Sequence, residues 1–170
     1  MENWKRFLTE SYDVKSTGIV KLVPDESLRR QALDLQESIK DPEATPLQSD
    51  RLHITLLHQK ARPEGVSGGK WKKMLKNLPK FEGSIGLENE VVTIPSGDRK
   101  SWLIYVDNPT QAALDEYIIN ALRGVGLDDP AINALREKEA GFLGTRGDSP
   151  TRKYHISLAN LTGNPGDSVA

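Results

Sequence analysis

The sequence contains no cysteine, which excludes disulfides, thiolate metal sites and cysteine nucleophiles. It also lacks long apolar runs, and its longest hydrophobic stretches are too short to span a bilayer. The first twelve residues carry charges throughout and show no apolar segment of the kind found in secretion signals. These absences predict a cytoplasmic protein that has no membrane partner.

Neither sign of charge is in excess, because 23 basic side chains stand against 24 acidic ones and the formal net charge is −1. Proteins that bind long duplex nucleic acid usually show a clear basic excess, so this class of partner is not expected. A small anionic ligand held by a few local groups remains compatible with the composition. The length of 170 residues fits either one domain over residues 1–170 or two closely packed lobes. The oligomeric state is left open.

Hydrophobic periodicity predicts an element order of β-α-β-α-β-β-α-α-β, which is typical of an α+β fold. An additional short amphipathic helix is predicted over residues 2–13. The predicted strands cover 17–23, 52–57 and 154–158, with two or three antiparallel strands within 81–105, whose clearest hairpin turns at 96–98. The predicted helices cover 25–40, 70–77, 108–123 and 130–140.

A tetrapeptide of histidine, apolar, hydroxyl and apolar residues occurs twice, as HITL over 53–56 and as HISL over 155–158. With average amino-acid usage the pattern is expected about 0.03 times in a chain of this length. Two of the three histidines of the chain lie in it. Residues i and i+2 of a strand share a face, so His53 and Thr55 point one way, as do His155 and Ser157. The pair of motifs is therefore interpreted as functional.

These residue types suit the cleavage of a phosphodiester without a metal or other cofactor. Histidine titrates near neutral pH, so one ring can act as base while the other acts as acid. Hydroxyl donors two residues away can stabilise the charge that develops on the nonbridging oxygens of the phosphoryl group. His53, Thr55, His155 and Ser157 are the predicted catalytic residues, and the sequence does not assign which histidine is the base.

Other candidates have both a structural and a functional interpretation. Tyr12, Trp71 and Asn160 are the predicted substrate contacts: the two aromatic rings as surfaces on which a base can stack, and Asn160 because it is placed on the His155 face if that strand extends. For both rings core packing is the competing interpretation, and Trp71 in particular lies on an amphipathic face. The third histidine, His58, is interpreted as a residue of the surface or of the strand end. The lysines near residue 70 are interpreted as a solvated helix face.

The two motifs resemble the signature of the 2H phosphoesterase superfamily, which includes RNA 2′,3′-cyclic phosphodiesterases and small cyclic-nucleotide phosphodiesterases. The resemblance implies a bilobal α+β fold in which two antiparallel sheets flank a central groove and the helices lie outside. Enzymes of the LigT type follow their first motif with Phe-Leu-Gly, whereas this chain has Leu57-His58-Gln59.

Within that superfamily, the stretch YHISLANLTGNPGDSV resembles the phage-encoded anti-CBASS nucleases, which hydrolyse the cyclic di- and trinucleotide signals of bacterial antiviral defence. The stretch NWKRFLTES is similar to the N-termini of tailed-phage proteins. The resemblance implies a cyclic oligonucleotide as partner and the cytoplasm of an infected bacterium as location. Cleavage would pass through a 2′,3′-cyclic phosphate and end in a 3′-phosphate.

Three functions remain compatible with the sequence. A nuclease against cyclic oligonucleotides is the first, and an RNA-end enzyme that acts on nucleotide 2′,3′-cyclic phosphates is the second. The third is a sponge that binds the nucleotide without cleaving it, which would not require both an acid and a base. A purely structural phage component is the remaining alternative.

Overall fold

The computed structural model describes residues 10–58, 60–143 and 153–169. Within them the chain forms nine strands, four α-helices and two short 3₁₀ segments. The strands are β1 (Ser11–Tyr12), β2 (Val14–Ser16), β3 (Val20–Leu22), β4 (Thr45–Pro46), β5 (Ile54–Leu57), β6 (Phe81–Glu82), β7 (Val92–Ser96), β8 (Arg99–Tyr105) and β9 (His155–Asn160). The helices are α1 (Glu26–Glu37), α2 (Gly68–Met74), α3 (Asn108–Gly124) and α4 (Asp129–Leu143). The predicted α+β class is confirmed.

Helix α1 shows how local sequence sets the boundaries of an element. Asp25 accepts a hydrogen bond from the backbone N–H of Leu28 at 2.8 Å and so satisfies one of the free donors of the first turn. Leu28 and Ala32 are buried one turn apart on the inner face. The helix ends at Glu37, three residues earlier than predicted. Gln36 then donates to the carbonyl oxygens of Leu47 and Leu158 at 2.9 and 2.8 Å, which ties the helix to β9.

One antiparallel sheet of seven strands contains both motifs, with the order β2-β3-β5-β9-β8-β7 and β4 paired to β9. The family resemblance implies two sheets that flank a groove. In the structure, β5 and β9 are neighbours in the seven-stranded sheet, joined by the single register pair Ile54 and Ile156. Further along the same edge of β9, β4 takes the place of β5, with Thr45 opposite Asn160. Across residues 10–58, 60–143 and 153–169, the second sheet consists of β1 and β6.

A bulge in β9 changes which side chains share a face. Ser157 pairs with Leu103, but the next pair joins Ala159 to Trp102. Leu158 is therefore an extra residue in β9. Strict alternation would place Asn160 on the face opposite to His155, because the two are five residues apart. The bulge returns Asn160 to the His155 face.

The prediction of a helix over residues 2–13 is wrong at its C-terminal end, since β1 pairs with β6 there. Residues 2–9 of that prediction lie outside the described residues. Tyr12 is only 6% exposed and packs on Phe81, with ring centroids 6.3 Å apart. Phe81 in turn meets the ring of Tyr117 edge-on at 5.7 Å. This aromatic cluster belongs to the core that lies under the small sheet.

Burial raises the pKa of both Tyr12 and Tyr117 to about 12, with the charges of Asp25 and Glu10 adding to the effect at Tyr12. The folded chain thus holds these protons more tightly than the unfolded chain, where tyrosine titrates near pH 10. Their contribution to stability is complete below pH 10, and we expect it to be lost as pH rises from 10 to 12. Phenolate absorbance followed together with circular dichroism checks this. Ionisation of both groups near pH 10 in a chain that stays folded would contradict it.

Among the described residues, no helix is both long enough and apolar enough to cross a membrane.

Candidate functional site

A cavity of about 560 Å³ lies over the face of the sheet that carries both motifs. His53, Thr55, His155 and Ser157 all line it, and each is half-buried. Their partners in alternation, Ile54, Leu56, Ile156 and Leu158, are at most 1% exposed and belong to the core. The period of two thus places the four predicted catalytic side chains in one cavity and the apolar residues beneath it.

The ring of His53 is fixed by two contacts. Its Nδ1 lies 2.8 Å from the carbonyl oxygen of Arg51, and because a carbonyl only accepts hydrogen bonds, Nδ1 carries a hydrogen. The other nitrogen, Nε2, lies 3.1 Å from the hydroxyl oxygen of Thr55. Nε2 is therefore the atom that gains or loses a proton, and it lies within reach of a hydroxyl on the cavity face.

His155 is held in the same way as His53. Its Nδ1 lies 3.2 Å from the carbonyl oxygen of Lys153, again two residues earlier in the chain. The ring of Tyr105 meets the imidazole edge-on with centroids 6.1 Å apart, and the Lys153 ammonium lies 4.1 Å from the centre of the same Tyr105 ring. Both motif histidines thus have Nδ1 bonded to a backbone carbonyl, and Nε2 is the nitrogen of each ring that can exchange a proton with a ligand.

The pairing of β5 with β9 sets the motifs against each other. Ile54 lies opposite Ile156 in an antiparallel register. One residue further in each direction, that register sets His53 opposite Ser157 and Thr55 opposite His155. Each histidine therefore faces the hydroxyl residue of the other motif across the strands. The four groups form a compact set that can surround one phosphoryl group.

The charge of the cavity lining is positive. Arg51, Lys60 and Arg99 line it in addition to the histidines, and among the described residues no Asp or Glu side chain does. All three cationic residues are exposed. A phosphate in the cavity would meet cationic groups and no carboxylate from these residues, so the electrostatics favour an anionic ligand.

The third histidine also lines the cavity but is bonded differently. The Nδ1 of His58 accepts a hydrogen bond from the backbone N–H of Lys60 at 3.2 Å, so this nitrogen carries no hydrogen. The backbone N–H of His58 donates to the carboxylate of Glu139 at 2.6 Å. His58 therefore differs in tautomer from the two motif histidines, although it shares their cavity.

The three predicted substrate contacts do not line this cavity. Tyr12 lies in the aromatic core beside Phe81. Trp71 is 5% exposed, and its indole N–H donates to the carbonyl oxygen of Ala61 at 3.1 Å. It lines a separate cavity of about 360 Å³ that shares Lys60 with the first. Both rings are thus occupied by packing, which leaves little surface for a base.

Asn160 is fully buried, and its amide organises the tail that follows β9. Its Nδ2 donates to the carbonyl oxygen of Asn164 at 2.6 Å and to the hydroxyl of Ser168 at 3.1 Å. Its Oδ1 accepts from the backbone N–H groups of Thr162 and Gly163 at 3.1 and 2.5 Å. Residues 165, 166, 168 and 169 of this tail line the cavity. Asn160 therefore supports the wall of the cavity and does not enter it.

The cationic residues of the cavity were missed from the sequence: Arg51, Lys60 and Arg99. Arg51 had a usable signal, because it lies two residues before His53 and four before Thr55. Arg99 had none, since its place beside the motifs depends on the pairing of β8 with β9. Within the described part of the chain, no group of three or more His, Asp or Glu side chains is arranged to hold a metal ion.

Comparisons with known proteins returned no match to a protein-family model, to a curated protein or to a solved structure.

Proposed function

We propose that the chain is a metal-independent phosphodiesterase in which His53 and His155 act as an acid–base pair. The observation that supports this is their common environment: both rings line one cavity, and both have Nδ1 bonded to a carbonyl. A ring oriented in this way presents Nε2 to the ligand, as general acid–base catalysis requires. The cationic lining favours a phosphate as the group on which they act.

The proposed substrate is a cyclic di- or trinucleotide with 3′–5′ bonds. The Nε2 of one histidine takes the proton of the ribose 2′-hydroxyl, whose oxygen forms a bond to phosphorus. The bond from phosphorus to the 5′-oxygen breaks, and the Nε2–H of the other histidine protonates that oxygen. Water then opens the resulting 2′,3′-cyclic phosphate to a 3′-phosphate while the histidines exchange roles. In this second step the bond from phosphorus to the 2′-oxygen breaks, the ring that lost a proton takes one from the water, and the other ring gives its proton to the 2′-oxygen, so the pair is regenerated.

Two further features support a small cyclic substrate. A volume of about 560 Å³ lies in the range of small-molecule sites, about 300–1,000 Å³. The net charge of −1 is unlike that of proteins that follow long nucleic acid. Together with the resemblance of the C-terminal stretch to anti-CBASS nucleases, they favour a role in phage counter-defence inside the infected bacterium.

The bilobal 2H arrangement is part of the same proposal, with the junction of β5 and β9 as the boundary between lobes.

The experiment that tests the proposal incubates the protein in EDTA with a 3′,3′-cyclic dinucleotide and separately with a 2′,3′-cyclic mononucleotide. Chromatography identifies the products. Linear products that end in a 3′-phosphate support the proposal. Opening of the mononucleotide alone would favour the RNA-end enzyme instead, and binding without any cleavage would favour the sponge.

The hydroxyl groups of Thr55 and Ser157 provide a further test. Thr55→Val and Ser157→Ala remove hydrogen-bond donors from the cavity face while leaving most of the side-chain volume. We expect kcat to fall about 10- to 100-fold for each variant, because such donors act on charge that develops in the transition state. Steady-state kinetics measure the effect. Thr93→Val, which changes an exposed threonine of β7, is the matched control. A Thr55→Val variant as active as this control would contradict the role.

A further inference from the structure

One end of the cavity brings together three segments that are distant in the chain. β5 and β8 both run antiparallel to β9. The first residues of β5 and β8 therefore lie at the same end of the strands as the last residues of β9. Arg51 precedes β5, and Arg99 is the first residue of β8. The tail over 165–169 follows β9, and it lines the cavity together with both arginines.

The guanidinium groups of Arg51 and Arg99 form no hydrogen bond or ion pair with any described residue. Arginine in an ion pair is usually held by a carboxylate or a phosphate, which its planar fork matches. No described carboxylate lines this cavity. The N–H donors of both guanidinium groups are therefore available to an anionic ligand.

This end is separated from the motif residues. Leu103 of β8 lies opposite Ser157, and Arg99 precedes Leu103 by four residues, about 13 Å along a strand. That distance exceeds the length of one extended side chain. A phosphate held among the two histidines and the two hydroxyls is therefore not the phosphate that Arg99 contacts. Arg51, two residues before His53, lies between the two positions.

We infer that Arg51 and Arg99 form a second anion site, which holds a phosphate that does not react. This inference rests on the proposed function and narrows its substrate class. The substrate is a ligand that presents at least two phosphates at once, such as a cyclic dinucleotide. A nucleotide 2′,3′-cyclic phosphate has one phosphate and fills only the site between the histidines. The tail held by Asn160 forms the wall beside the second phosphate.

Binding in the absence of turnover tests the inference. Calorimetry compares a 3′,3′-cyclic dinucleotide on His155→Ala and on His155→Ala/Arg99→Ala at several salt concentrations. We expect the second variant to bind about tenfold or more weakly, since a charged hydrogen-bond donor is lost. We also expect the slope of log affinity against log salt to decrease by about 1. Arg99→Lys should restore part of the affinity, because it keeps the charge and loses the fork.

Arg30→Ala in the same background is the matched control, since Arg30 is exposed on α1 and does not line the cavity. A loss with Arg99→Ala no larger than with Arg30→Ala would overturn the inference. Failure of the cyclic dinucleotide to bind His155→Ala would also overturn it.

A second readout separates this inference from the proposed function. In the chain with both histidines, the ratio of kcat/KM for the cyclic dinucleotide to that for a 2′,3′-cyclic mononucleotide should fall about tenfold in Arg99→Ala. An equal loss for both substrates would contradict a site for a second phosphate. If binding depends on Arg99 but no substrate is cleaved, the second anion site stands and the phosphodiesterase proposal fails.

Discussion

Replacing His155 with alanine is expected to lower kcat/KM for a cyclic dinucleotide about 10³-fold, and replacing His53 should have an effect of similar size. General acid–base catalysis contributes about 10²- to 10⁴-fold per group, and the two rings are held alike through Nδ1. The double variant should be little worse than either single variant, because the acid and the base act as a unit. Product formation in EDTA, followed over several hours, measures these rates.

At both positions, asparagine tests the role of Nε2 more specifically than alanine does. Its side-chain amide can donate to the carbonyl that Nδ1 contacts, but it has no group in place of Nε2. We therefore expect His53→Asn and His155→Asn to fold normally and to be as inactive as the alanine variants. His58→Ala is the matched control, and its rate should fall by less than about tenfold. An alanine variant at His53 or His155 that keeps a tenth of the original rate would contradict the mechanism.

Replacing Asn160 with alanine is expected to reduce the free energy of unfolding by about 3 kcal/mol. The side chain is fully buried and makes four hydrogen bonds to the tail, and each unsatisfied buried group costs about 1–3 kcal/mol. The same hydrogen bonds hold the turn at Gly163, which adopts φ +78° close to Thr45. Urea denaturation measures the loss in stability.

The same variant should weaken the cavity wall. Residues 165, 166, 168 and 169 line the cavity, and the tail is tied to Asn160 through Asn164 and Ser168, so the amides of the tail should exchange hydrogen faster and KM should rise. Asn77→Ala, which changes an exposed asparagine, provides the control. If Asn160→Ala were as stable as Asn77→Ala, the described hydrogen bonds would not carry the expected free energy.

The placement of the four motif side chains could be predicted from the sequence because it follows from one local rule. Alternation along a strand places His53 with Thr55 and His155 with Ser157, whatever the rest of the fold does. The starts of α1 and α3 were also accessible, since Asp25 caps the first turn of α1 and Pro109 lies in the first turn of α3. Apolar spacing then identified the buried faces of α1 and α3.

The features that could not be predicted from the sequence depend on contacts between distant segments. Tyr12 lies in a polar stretch, and only the pairing of β1 with β6 places its ring in the core. Asn160 was expected on the His155 face, but alternation alone does not put it there: the extra residue at Leu158 does, and this bulge has no sequence signal of its own. The role of Arg99 required the order β5-β9-β8, which no local pattern determines.

The antiparallel junction at Ile54 and Ile156 implies an approximate two-fold rotation axis that passes between the motifs, perpendicular to the sheet. A half-turn about this axis exchanges His53 with His155 and Thr55 with Ser157. The motifs alone therefore cannot distinguish the two polarities of a bound phosphodiester. The symmetry is broken outside them, because the arginines lie at one end of the cavity, while His58 and Lys60 follow β5 at the other. Under the proposed function, we expect the two arginines at one end of the cavity to decide which histidine meets the 2′-hydroxyl first.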